Sequence, residues 1–242
     1  MKNSEEMTFF EHLLELRTRM LVVFFSIFIF SILGYLNSDF IISFLISTID
    51  NSDITFQVLK ITSIFMTKIT VSIFFGLMLS FPILLSQILL FIRPALKNSL
   101  SIWSIIKFIL LSLFLFCIGL IFGYYILIPF SISFFTQLSL PLIESINLSF
   151  TLENYLIYLI WVLIISSIIY QLPIFVIFFI KMGLIDLDWL KNNRSYVVIA
   201  FFILSALFTP PDPLSQILVA LPLILLFEIT IILVKVLNKK HE

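Results

Sequence analysis

Six long apolar runs restrict this chain more than any other feature. They cover residues 20–36, 66–92, 108–130, 155–180, 195–208 and 215–234, and only Lys68 and Glu228 bring charge into them. A helix that crosses a bilayer needs about 20 mostly apolar residues, and a spanning β-strand only about 10 with alternating polarity. Unbroken runs therefore predict helices rather than a barrel, because a helix satisfies every backbone group within its own segment. Composition agrees: 61% of the residues are hydrophobic and 12% charged, against about 45–50% and about 25% in soluble domains. The fold expected is an all-α integral membrane protein of six transmembrane helices, a single membrane domain over residues 1–242.

The basic residues give the direction. Lys2, Arg17 and Arg19 precede the first run. Arg93, Lys97 and Lys107 lie between the second and third, Lys181, Lys191 and Arg194 between the fourth and fifth, and Lys235, Lys239 and Lys240 follow the sixth. Twelve of the 14 basic residues thus fall on one side of an alternating chain, leaving Lys60 and Lys68 on the other. Such a bias marks the cis side of a membrane, where both termini are expected. The first run follows arginines as a signal peptide would, but no small-residue cleavage site follows it, so it is read as a permanent helix.

Several classes are excluded. Net charge is formally zero, with no basic footprint for nucleic acid. His12 and His241 stand far apart and Cys117 is the single cysteine, so no metal or haem ligand set is expected, nor any other cofactor. Nothing resembles a phosphate-binding loop, and no enzymatic activity is expected. Phe is abundant (29), Gly scarce (5), and Lys outnumbers Arg; these are residues with AT-rich codons, which hints at an organelle or endosymbiont genome.

Polar groups inside a bilayer are expensive and mark function or specific packing. Four stand out: Lys68, Gln87, Gln171 and Glu228. Lys68 lies early in its run and can snorkel to the trans surface. Gln171 precedes Leu172-Pro173, where its amide could satisfy a backbone carbonyl freed by the proline or present a polar spot to a partner. Glu228 can face helices near the cis end, two turns from Lys235, or carry a functional charge. Both readings stand for each.

Two segments outside the runs are informative. The arm from Phe10 to Arg19 is amphipathic at helical spacing, with Leu13, Leu16 and Met20 on one stripe and Glu11, Glu15 and Arg19 on another. Glu15 and Arg19 form a favourable i,i+4 pair, worth about 0.2–0.5 kcal/mol. Equally, Glu15 is a carboxylate that could take a guanidinium in a bidentate bond. Between the fifth and sixth runs stands Thr209-Pro210-Pro211-Asp212-Pro213-Leu214-Ser215-Gln216. Pro210 and Pro211 end one helix; Asp212 suits an N-cap and Pro213 the first helical position.

His12-Leu13-Leu14-Glu15-Leu16-Arg17-Thr18-Arg19 resembles the N-terminal signature of the TatC family, the large subunit of the twin-arginine protein translocase. The Thr209–Gln216 segment resembles the family's second signature. Phe91-Ile92-Arg93-Pro94-Ala95-Leu96 and Leu226-Phe227-Glu228-Ile229 fit as well. The resemblance covers nearly the whole chain. It implies a receptor for twin-arginine signal peptides of folded cargo, which recruits small single-span subunits of TatA and TatB type and further copies of itself. Transport would be driven by the protonmotive force. Glu15 would contact the signal arginines, with Arg17 and Phe91 on the same cis surface. The membrane would be a bacterial inner, mitochondrial inner or thylakoid membrane.

Two positions depart from the family pattern. Bacterial members carry a second glutamate in the first cis loop, where this chain has Leu100 and no acid between Arg93 and Lys107. Many also carry Glu where this chain has Gln171. The other function classes considered are a small secondary transporter or proton conductor, and a structural subunit of a respiratory complex. The fifth and sixth runs are short for a hydrocarbon core of about 30 Å, and Pro82 and Pro173 should bend the longer helices. The expected shape is a concave scaffold in a locally thinned bilayer.

Overall fold

A computed structural model describes residues 9–47, 55–92, 102–139, 149–208 and 213–238. The first helix, α1 (Phe9–Leu36), joins the amphipathic arm to the first apolar run without a break. It is about 42 Å long at 1.5 Å per residue, so its first turns project beyond the apolar span. A second helix, α2 (Ser38–Ile46), follows between the first and second apolar runs. Its Ile41, Ile42, Leu45 and Ile46 pack into a core cluster. These four apolar residues share one helical face, which is what holds so short a helix against the core.

Two short strands come next in the hydrogen-bond scheme. β1 (Thr55–Gln57) and β2 (Ser149–Thr151) pair in parallel, with Phe56 opposite Phe150. They precede α3 (Ser63–Ile92) and α6 (Leu152–Ile169), so both helices leave from one end of the molecule. Between them run α4 (Ile102–Phe122), a π-helical turn at Gly123–Leu127 and α5 (Ile128–Ser139). The π turn sits where Pro129 would drive its ring into the carbonyl of Tyr125, one turn earlier. Widening that turn is the usual relief.

The expected fourth span is two helices. α6 ends at Ile169, and α7 (Leu172–Lys181) restarts with Pro173 in its first turn, where a missing N–H leaves no helical carbonyl unpaired. α7 closes on Gly183, whose φ of 72° suits only glycine, with Leu184 N–H donating to Phe179 O at 3.0 Å. Then come α8 (Leu187–Asn192), α9 (Arg194–Phe208) and α10 (Pro213–Asn238). The sixth run is longer as a helix than expected, at 26 residues, but its apolar part is Gln216–Ile232, and that of α9 is Arg194–Leu207. Four longer stretches, Phe10–Leu36, Ser63–Ile92, Ile105–Gln137 and Leu152–Ile180, are long and apolar enough to cross a bilayer.

The core clusters show how the chain alternates. At one end Leu45, Val71, Phe74, Ile128, Leu156 and Leu159 pack together. At the other, Leu89, Ile105, Phe108, Ile177 and Val234 do so. Thus α3, α4–α5 and α6–α7 run in alternating directions. α10 arrives at the second end, where the N-terminus of α1 also lies, beside Gln87 and Phe91. The α6–α7 pair is central and half buried, whereas α1 turns Phe24, Phe25, Phe28 and Ile29 outward.

Small residues set the two tightest seams, as is usual where helices meet without a water-driven hydrophobic force. A Cβ on Gly76 of α3 would sit 2.8 Å from Ile27 O and from Ser31 N of α1. A Cβ on Gly119 of α4 would sit 2.8 Å from Ser167 Cα of α6. Ser166 Oγ–H donates to Gly119 O at 2.6 Å across that second seam.

Candidate functional site

The α1–α3 seam opens, at the end bearing the N-terminus of α1, into a cluster of polar side chains. One helical turn separates Glu15 from Arg19, so both lie on one face. Arg19 Nε and Nη2 donate to Glu15 Oε1 at 3.0 and 2.5 Å. Its third nitrogen, Nη1, donates to Gln87 Oε1 of α3 at 3.2 Å. The guanidinium therefore bridges the two helices. Glu15 and Arg19 side chains are only 22% and 21% exposed, so this pair is better shielded than a surface ion pair.

Glu15 is incompletely satisfied. Its Oε2 is buried and accepts no hydrogen bond. His12 Nδ1 stands 3.5 Å from it, one turn back along α1. The His12 ring stacks on Phe91 at 4.2 Å between centroids and 12° between planes. Phe91 thus reaches the carboxylate through His12, a link the sequence did not reveal. Beside the cluster runs a groove of about 370 Å³, walled by Leu16, Met20, Phe24, Leu84 and Ile88, with Arg19, Gln87 and Phe91 on its margin.

The other sequence-selected residues fall elsewhere. Arg17 is exposed, and two residues on from Glu15 it lies on the far side of α1. Lys68 does not end free at the surface: its Nζ lies 2.7 Å from Asp39 Oδ1 of α2. With Asp39 83% exposed, this pair contributes about 0–1 kcal/mol. Glu228 Oε1 lies 3.5 Å from Arg194 Nη1 at the start of α9, rather than serving Lys235. Pro210, Pro211, Asp212 and Leu100 lie outside the described residues.

Gln171 is the most enclosed polar side chain of the four, 4% exposed at the α6–α7 break. It serves no carbonyl freed by Pro173. Instead it reaches α4: Ser112 Oγ–H donates to Gln171 Oε1, and Gln171 Nε2 donates to Ser112 O at 3.1 Å. The break in the helix is what releases the amide sideways. Replacing Gln171 by leucine removes both bonds and takes the Ser112 hydroxyl's acceptor away in an apolar core; we expect a loss of about 1–3 kcal/mol, read as a lower thermal midpoint in detergent. An unchanged midpoint would show that this pair contributes nothing.

Sequence reasoning missed three parts of these sites. Gln87 was noted as costly but given no role, His12 was given no contact to Phe91, and Gly76 and Gly119 were not singled out. The 5 glycines in the whole chain were the available signal, since a glycine kept within an apolar run usually marks close approach of backbones.

Helices of this length, seams of small residues and outward-facing phenylalanines define a multi-pass α-helical membrane protein. Comparison with known proteins narrows the class. The family model for the Sec-independent protein translocase protein TatC matches residues 11–222. The TatC of Desulforapulum autotrophicum is 31% identical, covering 100% of this chain and 89% of the relative. That of Rickettsia prowazekii is 34% identical over 93% of this chain and 92% of the relative. The TatC-like protein ymf16 of Reclinomonas americana is 33% identical over 96% and 88%. A crystal structure of the twin-arginine translocase receptor TatC superposes with a TM-score of 0.77 at 28% identity, covering 92% of this chain and 99% of that one. The chain belongs to the TatC family of the Sec-independent, twin-arginine protein translocase.

Proposed function

We propose that this translocase subunit is the receptor for twin-arginine signal peptides, and that Glu15 is its principal acceptor for a signal guanidinium. The observation that carries this reading is the Glu15 carboxylate: one oxygen already holds a guanidinium and the other is buried without a hydrogen bond. A planar guanidinium offers five donors, and a shielded carboxylate is its strongest partner. Phe91 belongs to the site through the His12 stack, and Arg17 supplies exposed charge on the adjoining surface.

In this reading the chain spans the membrane six times with both termini on the cis side. The alternating core clusters support it, as do the twelve basic residues of the loops and tails that alternation assigns to that side. The short apolar parts of α9 and α10 support a locally thinned bilayer on a concave scaffold. Small single-span subunits, further copies of the chain and folded cargo complete the assembly, and the protonmotive force drives it. The transporter reading is disfavoured by the partners of Lys68 and Glu228, which are Asp39 and Arg194 near the helix ends rather than members of a relay.

A photo-crosslinking amino acid at position 15 tests the receptor reading. In membranes carrying the whole translocase, it should capture a twin-arginine precursor and lose that product when both signal arginines become lysines. Equal capture of the twin-lysine precursor would overturn the reading.

A further inference from the structure

We infer that Gln87 is the second acceptor of the guanidinium site, and that Arg19 is a resident occupant which an incoming signal arginine displaces. The inference rests on the receptor reading of Glu15. Its geometric basis is the position of the Arg19 guanidinium: two nitrogens on Glu15 Oε1 and the third on Gln87 Oε1, 3.2 Å away. Three of the five N–H groups of this planar donor are held, along two of its edges, by these acceptors. Any other guanidinium entering the same place meets the same acceptors at the same spacing.

Glu15 and Gln87 come from different helices, 72 positions apart, and only the α1–α3 packing brings them together. The flat His12–Phe91 stack closes the side nearest Glu15 Oε2. Lysine does not fit this description. A single ammonium can bond one oxygen well, but it lacks the planar fork that joins two acceptors at once. Gln87 therefore contributes selectivity for arginine, and Arg19 sets a threshold that a substrate must exceed. Gln87 is the acceptor that α3 places beside Glu15.

A charge exchange between the two acceptors tests this. Full-length protein in nanodiscs is titrated with a synthetic twin-arginine signal peptide, with its twin-lysine form as control. Glu15→Gln alone should weaken binding at least about thirtyfold, from loss of a buried charged acceptor. The double variant Glu15→Gln/Gln87→Glu, which moves the carboxylate to the other acceptor, should recover to within about fivefold of the parent protein. Arg19→Gln, which empties the site, should tighten twin-arginine binding about tenfold, because a resident occupant lowers the affinity of any incoming ligand by the fraction of time it holds the site. The inference is overturned if the double variant binds no better than Glu15→Gln, or if a folded Arg19→Gln protein binds no tighter than the parent. Should Arg19→Gln fail to fold, the exchange decides alone. If Glu15→Gln itself leaves binding unchanged, the receptor reading fails first.

Discussion

Replacing Gly76 by leucine is expected to separate α1 from α3 and to abolish the Glu15 site with them. The added Cβ alone would lie 2.1 Å from Ser31 Oγ, and 2.8 Å from both Ile27 O and Ser31 N. The hydroxyl can rotate away, but the two backbone atoms cannot. Overpacking a core usually costs about 1–3 kcal/mol; a clash with helix backbone belongs at or above the upper figure. Gly183 provides the contrast. Its φ of 72° strains any other residue, but nothing lies within 4 Å of its missing Cβ, so Gly183→Ala should cost only about 1 kcal/mol. Thermal midpoints of the purified proteins in one detergent compare the two. A Gly76→Leu protein as stable as Gly183→Ala would show that the helices do not meet this closely.

Gly119→Leu should be nearly as damaging but with a different pattern. The new side chain would press on Ser167 Cα at 2.8 Å and Ser166 O at 3.0 Å, and would part the Ser166–Gly119 hydrogen bond. We expect a loss of about 2–3 kcal/mol, within the range for an overpacked core. The damage falls on α4 and α6, away from Arg19 and Gln87. At a temperature where some folded protein survives, that fraction should therefore bind signal peptide with the parent affinity. Gly76→Leu should instead lose affinity in step with its packing.

Much of this architecture is legible in the sequence, because period and charge are properties of single segments. The six apolar runs all appear as helices or helix pairs, and the Glu15–Arg19 contact follows from spacing alone. What was not legible depends on where segments meet. Gln171 was read against the proline beside it, but its partner is Ser112, 59 residues earlier. Lys68 was expected to reach for the surface, but the sequence did not reveal that exposed Asp39 of α2 would meet it there. Glu228 was expected to face helices near one end of its run, but only the antiparallel α9 identifies Arg194 as its partner. Each polar group was correctly marked as costly; the sequence could not identify which distant segment would satisfy it.

The same limit applies to the site. A lone glutamate in an amphipathic arm is ordinary, and its pairing with an arginine one turn later is ordinary too. Gln87 bonding that arginine from α3 and Phe91 stacked on His12 turn an i,i+4 pair into a two-helix recognition site. A carboxylate oxygen left without a hydrogen bond in such a setting costs stability.

Affinity for a twin-arginine precursor, measured on the parent protein and on Glu15→Gln side by side in the same membranes, tests the receptor reading most directly. Loss of at least about 2 kcal/mol, some thirtyfold in Kd, is the predicted result, with thermal stability lowered far less. A Glu15→Gln protein that binds and transports every twin-arginine precursor as the parent does would contradict it.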